Sequence, residues 1–322
     1  MIKEKINKPN IRDTKPGYSE GYYDIFEHLE DYAAKIFAAA DIHPQETKVM
    51  EGETGVILNV FDGQQRAIVK INPFHGDLLT SDYFYNKLEG SGVPVPSVLF
   101  FDDSRQVIPY DFQVLEYLEG VDIRSIPAKL HRQAGTLVGE ALQKIHSINV
   151  EGFGWPLSGG GWGATSWLDA LRKNYFDSSL AKKHEVFSTE EIRQIERITF
   201  FNEKLNSIAP HLIHSDVGHG NSLYRLEDNQ LFLVGFIDPG GIIGGDPMFD
   251  VPLSVDAEDD FEKGIGEVYT GRRSLSPEEE YRLNHLNLAR RFWSTCWHYA
   301  TGRDHKPVKD KTVVLLKNLT TR

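Results

Sequence analysis

The sequence predicts an α+β protein with two lobes, a small β-rich N-terminal lobe over residues 1–118 and a larger helical C-terminal lobe over residues 119–322. Two observations predict this division. The chain has 322 residues, which is enough for about two domains or lobes. Strand-like patterns dominate as far as the segment Glu116–Gly120, and apolar residues at helical spacing dominate beyond it.

The N-terminal lobe is expected to begin with a loose tail, because residues 1–17 are polar and rich in lysine. Two helices are then predicted from the spacing of apolar residues. Strands are predicted from β-branched runs next to turn residues such as Asp62-Gly63. The predicted helices are 22–40 and 78–89, and the predicted strands lie within 51–60 and at 66–71, 97–101 and 112–117.

The C-terminal lobe is expected to be mostly helical. An apolar stripe over 130–145 predicts a helix that faces a core, and the glycine-rich segment 152–164 predicts a loop. Ser276-Pro-Glu-Glu279 is a capping box with proline at the first helical position, which predicts the start of a long helix. Other helices are predicted from Ser166, around 189–207 and from Ser276 to about Ala300, with strands within 211–238.

The composition excludes several classes of function. The chain has 35 Lys and Arg against 47 Asp and Glu, a net charge of −12, so it lacks the basic surface that nucleic acid or an anionic membrane would require. Cys296 is the only cysteine, which excludes an intrachain disulfide and a Cys-based zinc site. The longest apolar run, Leu231–Ile237, is far shorter than the ~20 residues of a membrane helix. We therefore expect a cytoplasmic protein, a monomer or a dimer, that attracts cationic small molecules.

Three oxygen-bearing side chains follow short apolar strands in the C-terminal lobe. Asp216 comes just after a short strand, in a loop that contains glycine, and Asn221 lies five residues further on. Asp238 comes at the end of the apolar strand 231–237. Carboxylate and amide oxygens are the ligands that a hard cation such as Mg²⁺ prefers. The sequence therefore predicts a Mg²⁺ site formed by these loops.

The same three residues are typical of kinase-type phosphoryl transfer. In that chemistry a first aspartate orients the acceptor hydroxyl and accepts its proton. An asparagine and a second aspartate hold Mg²⁺ against the nucleotide phosphates. We therefore interpret Asp216 as the catalytic residue and Asn221 and Asp238 as the metal ligands. Such a site accelerates the reaction by positioning and by charge neutralisation.

This pattern resembles the signature of the aminoglycoside phosphotransferase family, which are small-molecule kinases. The agreement extends more weakly to the strand around Lys70, the segment Gly92–Pro96, the segment Tyr117–Gly120 and the helix that ends at His146. The signature is matched by His214, Asp216 and Asn221, then by Ile237-Asp238, and then by Gly245, Asp246, Pro247 and Asp250.

The resemblance implies a protein-kinase-like two-lobe fold and transfer of the γ-phosphate of ATP or GTP, with Mg²⁺, to a hydroxyl group of a small acceptor. The acceptor would be an aminoglycoside or another molecule that carries amines or sugars. By the same resemblance, Lys70 contacts the α and β phosphates, and the turn with Gly52 and Gly55 covers them. The backbone around Glu116 and Leu118 then meets the adenine or guanine base.

Two positions depart from the family pattern. Ser215 stands where the family usually has glycine, and because serine is small we expect little effect. The helix glutamate that should pair with Lys70 is missing. Its place falls near Ser81, with Asp82 adjacent and Asp77 one turn earlier.

Three further interpretations stay open. A run of acidic residues suits a cationic acceptor, and it comprises Asp256, Glu258 and Asp259, to which we add His219 as a loop residue. A metal-dependent hydrolase would use His214, Asp216, His219 and Asp238 to activate water. A catalytically inactive binding protein could also keep the motif and the fold.

Overall fold

The computed structural model describes residues 19–52, 55–176, 181, 186–253, 259–271 and 274–321. The expected tail 1–17 lies outside these residues. The chain divides into two compact units. The first contains the chain up to Gly120 with the short segments 157–159 and 234–237, and the second contains the rest. The boundary expected after residue 118 stays a prediction.

The first unit is built on an antiparallel sheet whose strands follow the order β1-β2-β3-β5-β4. The predicted helix 22–40 is two helices, because the backbone of His28, with φ −114° and ψ 17°, leaves the helical region. The elements are α1 (Glu20–Glu27), α2 (Leu29–Ala39), β1 (Glu46–Glu51), β2 (Val56–Phe61), β3 (Arg66–Asn72), α3 (Asp77–Leu88), β4 (Val98–Asp102) and β5 (Asp111–Glu116).

The core of the first unit follows from the alternation of side chains along its strands. Val56, Leu58 and Val60 stand at every second position of β2 and are buried. They belong to one apolar cluster with Ile25 of α1 and Ile36 of α2. One face of the sheet is therefore covered by the first two helices.

The second unit combines helices with short strands. Its four-stranded sheet has the order β7-β6-β11-β8, and β9 and β10 form a two-stranded sheet. The last residues of β10, 234–236, belong to the first unit. The elements are α4 (His131–Ile145), β6 (Phe153–Pro156), β7 (Trp162–Ala164), α5 (Trp167–Tyr175), α6 (Thr189–Ile195), β8 (His211–Leu212), β9 (Ser222–Glu227), β10 (Gln230–Phe236), β11 (Gly244–Gly245), α7 (Asp260–Thr270), α8 (Pro277–Ala300) and α9 (Lys306–Thr320).

Three predictions for the second unit differ from the structure. The segment 152–164 contains strands β6 and β7 in addition to its glycine-rich turn. The helix predicted over 189–207 ends as an α-helix at Ile195 and continues as the π-helical turn Glu196–Phe200. Helix α9 was not predicted, although its buried Thr312, Leu315 and Leu316 have helical spacing.

The start of α8 matches the sequence closely. The capping box predicted at the start of α8 is confirmed, with the Ser276 side chain and the Glu279 side chain each bonded to the other's backbone. No helix in the described ranges is long and apolar enough to cross a membrane.

Candidate active site

The loop of residues 214–221, called the Asp216 loop below, begins directly after a buried strand. Leu212 of β8 and Ile213 are fully buried, and β8 pairs antiparallel with β11, where Gly245 faces His211. This short pairing brings the segment after β11 next to the Asp216 loop. Asp250, which follows that segment, is the residue that makes the contact.

The Asp250 carboxylate holds the first two residues of the Asp216 loop. It accepts hydrogen bonds from the backbone N–H groups of His214 and Ser215, each at 2.7 Å. His146 lies 3.0 Å away through its Nε2 atom. Burial raises the pKa of Asp250, but the hydrogen bond and charge of His146 outweigh burial, and the pKa lies below its usual value. Asp250 is thus a buried, ionised acceptor that fixes the loop backbone.

Ser215 adopts a left-handed backbone conformation, with φ 58°. For a residue with a Cβ atom this conformation costs roughly 1 to 2 kcal/mol relative to the right-handed region. Glycine has no such cost. The glycine that the resembled family usually has at this position therefore avoids a conformational cost that Ser215 carries. The backbone conformation, and not the size of the side chain, is what distinguishes the two residues here.

The structure brings Asp216 and Asn221 together. The Asn221 side-chain nitrogen donates to the Asp216 backbone oxygen at 2.9 Å and to its carboxylate Oδ2 at 2.8 Å. Asp216 itself is exposed, and Asn221 is half-buried. The curled loop thus presents a carboxylate at the surface and fixes the amide group beside it.

The segment that follows Asp238 packs against the Asp216 loop. The Gly240 backbone N–H donates to the His214 carbonyl oxygen at 2.8 Å. A Cβ atom on Gly240 would overlap the Ser215 hydroxyl and lie 3.3 Å from the Asp216 Cβ, so only glycine allows this approach. Asp238, two residues earlier, is half-buried and has φ 52°. The structure therefore brings the Asp238 segment close to the other two predicted site residues.

These residues fit a magnesium ion. The two hydrogen bonds from Asn221 to Asp216 both use its amide nitrogen, so its oxygen can serve as a ligand. The Asp238 carboxylate supplies a second hard oxygen donor. Mg²⁺ typically needs only one or two protein carboxylates, because waters and substrate phosphates complete its coordination.

The hydrolase interpretation fits the geometry less well. His214 is fully buried, and its ring nitrogen Nδ1 accepts the backbone N–H of Asp216 at 3.4 Å. His219 is occupied by Asp259, with its Nε2 atom 2.6 Å from Oδ2. Within the described ranges, no group of three or more His, Cys, Asp and Glu residues is arranged to hold a metal.

The acidic run proposed for the acceptor is described only in part. Asp256 and Glu258 lie outside the described residues. Asp259 is the N-cap of α7 and accepts the backbone N–H of Phe261 at 2.7 Å. It also contacts His219 of the Asp216 loop, so two of the predicted acceptor residues contact each other.

In the first unit, Lys70 lies on β3 directly opposite Gln113 of β5. Burial lowers the pKa of Lys70 from 10.5 to about 8. Ser81, at the place of the missing helix glutamate, donates a hydrogen bond to the Gln113 side-chain oxygen at 2.9 Å. Burial is the largest effect on Asp82 and raises its pKa. Ser81 and Gln113 thus form a neutral pair at the position where the family pattern has a carboxylate.

The remaining predicted nucleotide-binding residues lie at turns and strand ends of the same unit. The Gly52 N–H donates to the Gly55 oxygen at 3.1 Å, which closes the turn between β1 and β2. Glu116 ends β5, and its carboxylate accepts the Ser97 hydroxyl at 2.8 Å. Leu118 follows two residues later. The Glu116 side chain is therefore occupied within its own unit, and its backbone N–H donates to the Ser97 carbonyl oxygen at 2.9 Å.

The chain is similar to known phosphotransferases. Residues 53–279 match the model of the family described as "Phosphotransferase enzyme family". No curated protein sequence matches. A thermostable mutant of aminoglycoside phosphotransferase APH(4)-Ia, solved with ADP and hygromycin B, has a TM-score of 0.69 and 17% identity, and the match covers 90% of this chain and 98% of that one.

Two other solved structures share the fold. A putative fructosamine-3-kinase from Haemophilus somnus has a TM-score of 0.61 and 17% identity, covering 90% of this chain and 98% of that one. The complex of gentamicin with APH(2")-IIa has a TM-score of 0.57 and 20% identity, covering 91% and 95%. At these identities the likeness shows the fold, and the predicted α+β, protein-kinase-like fold is confirmed.

Proposed function

The chain belongs to the phosphotransferase enzyme family, and from this premise we propose that it is a Mg²⁺-dependent small-molecule kinase. In this proposal it transfers the γ-phosphate of ATP or GTP to a hydroxyl group of an acceptor that carries amines or sugars. One observation supports the proposal most directly. Asp216, Asn221 and the segment after Asp238 meet in the second unit through hydrogen bonds and close backbone packing.

Each residue has a defined role in this proposal. The exposed Asp216 carboxylate accepts the proton of the acceptor hydroxyl as its oxygen attacks the phosphorus atom. The Asn221 N–H bond at 2.8 Å holds that carboxylate in place. The Asn221 oxygen and the Asp238 carboxylate would hold Mg²⁺. When bound, the ion neutralises charge on the nucleotide phosphates.

The residues of the first unit act on the nucleotide in this proposal. Lys70 places a positive charge against the α and β phosphates, and the phosphates in turn favour its protonated form. The turn with Gly52 and Gly55 covers the phosphates with backbone N–H groups, and the backbone from Glu116 to Leu118 meets the base. Because the protein residues form no covalent bond to the phosphoryl group, catalysis consists of positioning and charge neutralisation.

The nature of the acceptor is proposed from the similar proteins and from charge. The solved relatives are complexes with hygromycin B and gentamicin and a putative fructosamine kinase. With its net charge of −12, this chain would attract a cationic acceptor. In this proposal His219 of the Asp216 loop and Asp259 next to it contact the polar groups of the acceptor.

Substitution of the three site residues tests the proposal. Asp216→Asn should lower kcat by roughly 10²- to 10⁴-fold, the usual contribution of a general base, and should still bind Mg²⁺-nucleotide. Asp238→Asn should lose the Mg²⁺-dependent part of nucleotide binding. Binding is measured as thermal stabilisation, since a ligand at 100 times its Kd adds about 2.7 kcal/mol. Turnover is measured as ADP or GDP release with hygromycin B, gentamicin and a fructosamine as acceptors.

Asp228→Asn is the matched control. Asp228 is exposed in the turn after β9 and has φ 48°, a conformation that asparagine also tolerates. It should leave turnover and nucleotide binding unchanged. Equal turnover by Asp216→Asn and the parent protein would contradict the role of Asp216. Mg²⁺-independent binding in the parent would contradict the metal site.

A further inference from the structure

Helix α7 is connected to the Asp216 loop by a chain of buried hydrogen bonds. The Tyr269 hydroxyl, near the end of α7, lies 2.6 Å from His146 Nδ1. His146 Nε2 lies 3.0 Å from Asp250 Oδ2. Asp250 in turn accepts the backbone N–H groups of His214 and Ser215. Tyr269, His146 and Asp250 are all less than 10% exposed.

The ionised Asp250 carboxylate fixes the direction of its hydrogen bond with His146. An ionised carboxylate only accepts hydrogen bonds, so Nε2 of His146 carries the proton. The Tyr269 hydroxyl, 2.6 Å from Nδ1, is the hydrogen-bonding partner of the other ring nitrogen. Burial, the largest effect, raises the pKa of Tyr269, so its hydroxyl keeps its proton. Tyr269 therefore holds the His146 ring in the orientation in which Nε2 donates to Asp250.

The first turn of α7 contacts the same loop at a second point. Asp259, the N-cap, has one carboxylate oxygen 2.6 Å from His219 Nε2. Its other oxygen accepts the Phe261 N–H at 2.7 Å. The Phe261 ring lies 5.4 Å from the His219 ring. The helix start and the far end of the Asp216 loop are thus joined by a polar contact and a ring contact.

Helix α7 is itself closely packed on α4. A Cβ atom on Gly135 of α4 would overlap the Phe261 carbonyl oxygen, and one on Gly264 of α7 would overlap the Arg132 carbonyl oxygen. The Arg132 guanidinium also pairs with Glu267. With the two backbones in direct contact, α7 has little freedom to shift. The residues at both ends of α7 that contact the loop are therefore held on one rigid helix.

We propose that α7 is a positioning element for Asp216, in which Tyr269 acts through His146 and Asp250, and Asp259 acts through His219. The two contacts hold both sides of Asp216, at residues 214–215 and at residue 219. The catalytic part of this inference rests on the proposed function of Asp216, but the restraint on the loop backbone does not.

The variant Tyr269→Phe tests the proposal because it removes one hydroxyl and keeps the ring. We expect kcat to fall roughly tenfold, within the range that small misplacement of reacting groups causes. The KM values for nucleotide and acceptor should stay within about twofold, since groups that contact the substrates are unchanged. The double variant with His146→Ala should lose no more kcat than His146→Ala alone, because both residues act through one chain.

Tyr32→Phe is the matched control. The Tyr32 hydroxyl donates to the Asp24 carboxylate at 2.8 Å in the first unit. This variant therefore also loses one hydrogen bond that a tyrosine hydroxyl makes. It should leave kcat unchanged. Unchanged kcat in Tyr269→Phe, or the same loss in both variants, would overturn the positioning role of Tyr269.

Hydrogen exchange of the backbone separates this proposal from the proposed function. The amides of His214 and Ser215 should exchange faster in Tyr269→Phe than in the parent protein, whether or not any acceptor is phosphorylated. Unchanged exchange would overturn the role of α7. If Tyr269→Phe does not fold, Asp259→Asn provides the same test at the other contact, with faster exchange expected around His219.

Discussion

Lys70 is expected to lower the stability of the nucleotide-free protein. Burial lowers the pKa of its ammonium group from 10.5 to about 8, and each pKa unit corresponds to about 1.4 kcal/mol. The full shift would therefore destabilise the folded state by about 3 kcal/mol. The side chain keeps some contact with solvent, so we expect about 2 kcal/mol. The variant Lys70→Met removes the charge and keeps the length of the side chain.

The sign of the pH dependence follows from the lowered pKa. Below about pH 8 the lysine is protonated in both states, and the folded state carries the whole cost. Between the folded pKa of about 8 and the unfolded value of 10.5, the unfolded state binds more protons, so the stability of the parent protein rises with pH. Lys70→Met should therefore be more stable than the parent at pH 7, and the difference should vanish towards pH 10.5.

The assay is urea unfolding of both proteins at pH 7, 8.5 and 10 without nucleotide. Lys48→Met is the control, since Lys48 lies on β1 of the same sheet and is exposed. It should give no pH-dependent difference. The reasoning would be refuted if Lys70→Met were no more stable than the parent at pH 7, or if its advantage did not change with pH. A stability cost that is retained at this position would agree with a role in phosphate binding.

Two further substitutions test the packing behind the site. Asp250→Asn should lower the free energy of unfolding by about 1 to 3 kcal/mol. Its NH₂ group cannot accept a hydrogen bond, so one of the two backbone N–H groups would lose its acceptor. Urea unfolding measures this loss of stability, which should be complete above pH ~4. At lower pH the loss should shrink, because the carboxylate of the parent protein becomes protonated. An equal loss at all pH values would contradict the role of the ionised Asp250. Gly135→Ala should lower the free energy of unfolding by about 1 to 3 kcal/mol, because its Cβ atom would overlap the Phe261 carbonyl oxygen. This loss is expected although alanine is more favourable than glycine within a helix by ~1 kcal/mol. Gly159→Ala, where the space is open, should change nothing, and a stabilised Gly135→Ala would contradict the close packing of α4 and α7.

The sequence predicted the local parts of the site well. The five-residue spacing from Asp216 to Asn221 fits a short curled loop, and the structure shows their side chains in contact. The capping box at Ser276 predicted the start of α8 to the residue. These features depend on neighbours a few positions apart, so short-range geometry and hydrogen bonding suffice to predict them.

Other features were missed because they depend on partners far along the chain. Segment 152–164 was predicted as a loop, but β6 pairs with β11, about 90 residues later. Tyr269 gave no signal at all, since its partner His146 lies 123 positions earlier. The left-handed backbone of Ser215 was also missed, because the spacing of a motif does not report a dihedral angle.

The sequence by itself determined the fold class, the family resemblance and the three oxygen-bearing residues of the candidate site. These follow from periodicity and from short motifs, which are local properties of the chain. Only the tertiary structure decided how that site is supported: Asp250 on the loop backbone, Gly240 against Ser215, and α7 on both sides of Asp216. The physical reason is that the effect of a buried carboxylate or a close backbone contact depends on the groups around it, and folding brings these groups together from distant parts of the chain.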